Sequence, residues 1–126
     1  MRVLTTGGRD FVDEKFTNLV LSKFMENHNW RPVIFVNGAA NGSDRLVKAW
    51  AATRGLHTAQ VPALWDYYQN SAGMIRNRVM LELDPDYLIA FPGGRGTNAM
   101  VSAFLKEFGK DRLMDFRWKA EHENSA

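Results

Sequence analysis

The 126-residue chain predicts an α/β fold on a mostly parallel sheet. Two observations predict it. Short apolar runs alternate with segments of helical period at close spacing, the pattern of strand–helix–strand units with right-handed crossovers. Small-residue turns at 7–10, 37–42 and 92–97 each follow an expected strand and precede an expected helix. In a parallel sheet, loops after the strands all emerge at the carboxyl edge, where ligands bind.

The clearest unit is the stretch 86–97, DYLIAFPGGRGT. Tyr87 to Phe91 is an apolar run between Pro85-Asp86 and Pro92-Gly93-Gly94, which predicts a central strand buried on both faces. Behind the glycines, Val101, Phe104, Leu105 and Phe108 recur at i, i+3, i+4 and i+7 and predict a helix. A helix start leaves backbone N–H groups unpaired and carries partial positive charge, and glycine lets an anion approach closely. The alternative is a plain tight turn with Thr97 or Asn98 as N-cap.

The other elements follow in order. Arg2 to Thr6 is a strand ending at Gly7-Gly8-Arg9-Asp10. A helix from near Asp13 keeps Phe16, Leu19, Val20 and Phe24 on one face to about Met25. Pro32 opens a strand over Val33 to Val36, closed by Asn37-Gly38-Ala39-Ala40-Asn41-Gly42. Ser43 is the expected N-cap of the next helix, with Asp44 in its first turn, Leu46, Val47, Trp50 and Ala51 inward, and Gly55 at its end. His57 to Val61 is the third strand. Residues 63–73 show no period and read as a long ordered loop. A helix from Ala72 turns Ile75, Val79, Met80 and Leu83 inward, and Leu113 to Trp118 reads as a final edge strand. The domain is expected over 1–118, with 119–126 as a polar, frayed tail.

Composition narrows the function classes. A net charge of +2 with no block of like charge gives no footprint for gripping nucleic acid. The absence of cysteine removes thiolate chemistry and cysteine-based metal sites. His28, His57 and His122 lack metal-ligand spacing, so no metal is expected. No apolar run reaches the ~18–20 residues that span a bilayer, and MRVLTTGG lacks a signal-peptide core, so a cytoplasmic protein without membrane contact is expected. None of the glycine turns is G-x-G-x-x-G or G-x-x-x-x-G-K-[ST], which leaves dinucleotide and P-loop fingerprints unsupported. Three such turns at one edge nevertheless favour a shared phosphate-facing cleft over separate tight turns.

Thr6-Gly7-Gly8-Arg9-Asp10, Asn37-Gly38-Ala39 with Gly42-Ser43-Asp44, Pro62-Ala63 with Trp65, Ala72 to Asn77, and Ala90 to Thr97 occur together and in this order. This constellation resembles the YspA/YpsA-related branch of the SLOG superfamily, which also holds the Lonely-guy phosphoribohydrolases and the DprA/Smf DNA-processing proteins. The resemblance covers roughly residues 1–109. It implies a Rossmann-like three-layer sandwich that binds a nucleotide or nucleotide-derived phosphorylated ligand at the glycine loops, with no other cofactor. The residues so implied are Gly7, Gly8, Arg9, Asp10, Gly38, Ala39, Ser43, Asp44, Arg76, Asn77, Pro92, Gly93, Gly94, Arg95, Gly96 and Thr97.

Lonely-guy enzymes hydrolyse an N-glycosidic bond with a P-G-G-x-G-T-x-x-E motif and an arginine on the preceding helix. Arg76 stands at that arginine's place, but the glutamate position is Met100, which cannot shuttle a proton or stabilise an oxocarbenium-like transition state. Hydrolysis would need Arg76 with Asp44, Asp10 or Asp66 as the replacement acid, and it stands behind binding as the alternative. A DprA-like single-strand binder is a further alternative that lacks a basic groove.

Arg9, Arg76 and Arg95 carry forked donors suited to phosphate. Asp44 either caps its helix or holds a ribose hydroxyl, and Asp10 is a turn former or a ribose or water partner. Trp65, Tyr67 and Tyr68 either stack a base or serve packing or a dimer contact. Asn77 either orients Arg76 or is exposed. A homodimer is expected from the superfamily and from apolar content that a small chain struggles to cover, with Trp50, Met74 and Met80 as candidate surface.

Overall fold

The computed structural model describes residues 1–119. Its elements are β1 (Arg2–Thr6), α1 (Glu14–Asn27), β2 (Ile34–Asn37), α2 (Ser43–Thr53), β3 (His57–Gln60), α3 (Trp65–Tyr68), α4 (Ala72–Glu82), β4 (Tyr87–Ala90), α5 (Arg95–Phe108) and β5 (Leu113–Asp115). Single 3-10 turns fill Gln69–Ser71 and Lys110–Arg112.

All five strands are parallel, in the order β3-β2-β1-β4-β5. Strand alternation sorts the core into two layers. Val3, Phe35, Ile89 and Phe91 meet Val20, Leu21, Phe24 and Met25 of α1 and Val47, Trp50 and Ala51 of α2. On the other face Leu4, Val36, Leu88 and Ala90 meet Met80 and Leu81 of α4 and Met100, Val101 and Phe104 of α5. The result is a Rossmann-like three-layer sandwich, as the alternation of elements predicts. Fully burying each such side chain contributes about 1.5–3 kcal/mol, so both layers hold the sheet.

The centre of the sheet is β1, flanked by β2 and β4. The 87–91 strand is interior but one place off centre, because the edge strand β5 lies beyond it. That edge strand stops at Asp115; the chain then turns, with the Lys119 N–H donating to the Phe116 carbonyl, and Lys119 Nζ lies 3.8 Å from Asp13. The rest of the expected tail, 120–126, lies outside the described residues.

Several expectations need correcting. Residues 65–68 form a four-residue helix rather than loop. Gly42, not Ser43, holds the N-cap position of α2, and no side chain caps that helix. The inward face of α4 is Ala72, Met80 and Leu81, while Val79 and Leu83 are exposed. Leu19 of α1 also faces solvent. Among the candidates for exposed apolar surface only Met74 qualifies. Trp50 is buried against Phe35 and stacks on Trp30 at 6.2 Å, and Met80 lies in the second core layer. Among the described residues, no helix is long and apolar enough to cross a membrane.

Candidate functional site: a glycine-walled cleft at the carboxyl edge

The ends of β1, β2 and β4 open into a cleft of about 970 Å³, walled on one side by the first turns of α4. Its floor is built from loops that hold one another by their backbones. The Gly8 N–H donates to the Pro92 carbonyl at 2.8 Å, and the Gly8 carbonyl accepts from Ser43 N at 3.2 Å. One residue thus ties the β4 loop to the start of α2. The approach leaves no room for side chains. A Cβ on Gly42 would strike the Gly8 carbonyl oxygen and sit 2.5 Å from the Arg9 carbonyl carbon, and one on Gly93 would meet Thr97 Oγ1 and lie 2.7 Å from Gly8 N. On Gly7 it would meet Ser43 Oγ.

The β2 loop is organised by Asp44. Its Oδ2 accepts from Gly38 N at 3.1 Å and Ala40 N at 2.9 Å, while Asn37 Oδ1 accepts from Ala39 N at 3.1 Å. These bonds hold Ala39 at a φ of 62°, a left-handed conformation that a non-glycine residue adopts only when its surroundings impose it. Asp44 is only 5% exposed; its other oxygen, Oδ1, is buried, and the adjacent Ser43 hydroxyl acts on the carboxylate as a hydrogen-bond donor. Burial raises its pKa above the ordinary carboxylate value, opposed by the Ala40 N–H, the Arg76 charge and the Gly38 N–H.

Arg76 projects from α4 over this loop. Its Nη1 donates to the Gly38 carbonyl at 3.1 Å and its Nε to Asn77 Oδ1 at 3.0 Å. Asn77 in turn donates from Nδ2 to Gly96 O at 3.5 Å, linking Arg76 to α5. Orienting Arg76 is therefore what Asn77 does. Burial lowers the Arg76 pKa and the facing Asp44 raises it; a guanidinium stays cationic at any physiological pH. Gly38 must be glycine for the guanidinium to lie where it does, because a Cβ there would meet Arg76 Nη1.

The third wall is the start of α5. Gly94 is its N-cap residue and no side chain caps the first turn, so the Arg95, Gly96 and Thr97 N–H groups stand where an anion is favoured. Gly94 and Gly96 have open space at the Cβ position, and Gly94 has a φ of −103°, outside the left-handed region. Arg9 and Arg95 are exposed at the rim.

All the residues anticipated for the site line the cleft except Ala39 and Ser43. Ala39 points outward on the strained loop, and Ser43 is buried beneath Gly7 with its hydroxyl turned to the Asp44 carboxylate. Of the three aromatic candidates Trp65 alone lines the cleft; Tyr67 and Tyr68 pack edge to face on each other at 4.8 Å. Asp66 is exposed and does not line it. Met100 is buried in the core layer beneath, so the position of the Lonely-guy glutamate does not face the cleft. Sequence reasoning missed Thr5, a buried hydroxyl without a partner that lines the cleft. The available signal was a polar residue inside an apolar strand just before Gly-Gly.

A second hollow of about 530 Å³ lies at the amino edge around Met1, Arg2 and Asp86. It has no glycine loop. Its polar groups already serve each other, Arg2 N donating to Asp86 Oδ2 at 2.8 Å and the terminal amine to Pro32 O at 2.8 Å.

Comparison with known proteins gives the chain a family. A curated relative, the Gene 61 protein of Mycobacterium phage D29, is 31% identical over 103 residues, spanning 75% of this chain and 78% of the relative. The profile of the YspA, cpYpsA-related SLOG family matches residues 1–68, a stretch that carries the β1 and β2 glycine loops and Asp44. The chain belongs to the YspA, cpYpsA-related SLOG family, a membership that points to nucleotide-related binding or processing.

Proposed function

We propose that the carboxyl-edge cleft binds a phosphorylated nucleotide or nucleotide-derived ligand, its phosphate at the start of α5. The observation that carries this reading is the uncapped first turn of α5, opening into a cleft that also holds Arg9, Arg76 and Arg95. Backbone N–H groups, the helix dipole and forked guanidinium donors act on the same charge. Trp65, half exposed at the opposite wall, offers a flat apolar face to a base.

A panel of nucleoside mono-, di- and cyclic phosphates and ADP-ribose-type compounds tests the reading by thermal shift. A ligand at ~100 times its dissociation constant stabilises the fold by about 2.7 kcal/mol, which moves the melting point by several degrees. Absence of a shift with every member would overturn it. Binding is favoured over hydrolysis because Met100 lies in the core and cannot serve as the acid. Release of free base from a nucleoside monophosphate would move Asp44 and Arg76 from binding to chemistry.

We also infer self-association through the α3–α4 surface, where Leu64, Trp65, Tyr67 and Met74 are each exposed. Light scattering at tens of micromolar should give twice the chain mass; a strict monomer would remove the inference.

A further inference from the structure

We propose that Asn41, in the loop between β2 and α2, is a site of spontaneous modification: its side-chain amide is lost as ammonia and the main chain beside it is rebuilt as isoaspartate. The inference concerns the floor of the cleft and stands whether or not a phosphate binds there.

Asparagine is among the thermolabile residues, and the chain carries the pair Asn-Gly twice, at Asn37-Gly38 and Asn41-Gly42. In such a pair the glycine nitrogen can attack the asparagine Cγ, since no side chain on the following residue restrains the turn that ring closure needs. A bond forms between that nitrogen and Cγ, the Cγ–Nδ2 bond breaks, and ammonia leaves with the proton that the nitrogen gives up. The product is a cyclic imide. Water then opens it: cleavage of the new N–Cγ bond leaves aspartate, and cleavage of the original peptide bond leaves isoaspartate, whose main chain runs through Cβ and Cγ.

Identical in sequence, the two pairs differ in the fold. Asn37 is fully buried, its Oδ1 accepts from Ala39 N at 3.1 Å, and its Nδ2 donates to Asp44 O at 3.4 Å. Gly38 N, the nitrogen that would attack, donates to Asp44 Oδ2 at 3.1 Å. Both reactants are held. Asn41 is exposed, and among the described residues neither its side chain nor Gly42 N has a hydrogen-bond partner. Its amide is free to fold over the following peptide, with water at hand for the second step.

The change falls where the loops are tightest. Gly42 lies so close to the Gly8 carbonyl and the Arg9 backbone that a Cβ on it would strike them. Before the pair, Ala40 N is tied to Asp44 Oδ2 at 2.9 Å; after it, Ser43 N is tied to Gly8 O at 3.2 Å. Isoaspartate adds one atom to the main chain between these two anchors, and its free carboxylate adds a negative charge. The extra length has to come out of one anchor or the other, and the cleft floor loosens.

The test is storage of the full chain at mildly alkaline pH, which favours loss of the attacking nitrogen's proton. Peptide mass spectrometry and enzymatic methylation of isoaspartyl carboxylates then locate the product. We expect Asn41 to convert at least ~10-fold faster than Asn37, a barrier lower by ~1.4 kcal/mol. Isoaspartate should be among the products, and the stored protein should melt at a lower temperature than the fresh one. Asn41→Gln is the matching variant, because its longer side chain cannot close the five-membered ring and the position is exposed. It should keep its melting point through the same storage.

Equal or faster conversion at Asn37 would overturn the site, as would an intact Asn41 after an interval in which a synthetic peptide of the same loop sequence converts. Conversion at Asn41 with an unchanged melting point, or an equal loss in Asn41→Gln, would overturn the loosening of the floor.

Discussion

Two groups of glycines meet in this cleft, and they are there for different reasons. Gly7, Gly8, Gly42 and Gly93 are closed in by other atoms; a Cβ on each would be within about 3.0 Å of a neighbour or closer. Gly94 and Gly96, two positions further along the same motif, have open space around them. The first group lets three loops lie on one another, which is a requirement of the fold. The second leaves the entrance to α5 bare, which the packing does not require and a bound anion would. A run of glycines in a sequence records both requirements with the same letter.

The largest expected effect comes from breaking the closed group. Gly42→Ala places a methyl on the Gly8 carbonyl and the Arg9 backbone, neither of which can swing aside. Overpacking costs about 1–3 kcal/mol, with contact against rigid backbone at the upper end, read as a lower urea midpoint at unchanged slope. A midpoint equal to the parent's would show that the loops have slack. Next comes Gly94→Ala, the open counterpart. Its stability should stay within about 0.5 kcal/mol of the parent, while affinity for the best phosphorylated ligand of the panel falls about tenfold, or ~1.4 kcal/mol. Unchanged affinity would place Gly94 outside the phosphate site and erase the contrast between the two groups.

The smallest effect sharpens the comparison by pH. Asp44 belongs to the closed region and holds its proton more tightly folded than unfolded. From its ordinary value of 3.8 up to the folded value the native state binds more protons, so this group makes stability fall as pH rises through that window. Asp115, bonded to Arg117, has the opposite sign: its contribution is present above 3.8 and lost as pH falls through the lower folded value. Asp44→Asn should therefore flatten the decline of stability above pH ~4 and leave the acid limb in place. Parallel curves for the two proteins would mean that Asp44 titrates alike folded and unfolded.

What the sequence discloses follows the same division. Strands β1, β2 and β4 and helices α1, α2 and α5 are legible because apolar runs change period at glycine-rich turns. Helix α3 is not, since four residues are too few to display a helical period. Ser43 looks like an N-cap by residue type, but the Gly8 carbonyl takes its N–H and the chain enters the helix one residue earlier than it would with a serine cap, at Ser43 itself. Trp50 and Met80 illustrate a different limit. Composition says that apolar area is abundant, and only packing says that Trp30 and the sheet cover these two. For the site, the motif positions mark where the loops are, while the burial of the Thr5 and Asp44 side-chain oxygens depends on which neighbours arrive from other strands and helices.

The position of β1 between β2 and β4 has a consequence for how the chain is made. Val3 pairs with Tyr87, 84 residues further on (87 minus 3), and Thr6 with Ala90. At synthesis rates of ~5–20 residues per second, β1 leaves the ribosome roughly 4–17 s before the strand that completes it. Through that interval β1 offers one row of unpaired N–H and C=O groups along an apolar strand, the kind of edge that recruits other chains. The residues that carry most of the family's glycine loops are thus unable to close their own sheet, and maturation of the cleft waits for the last third of the polypeptide.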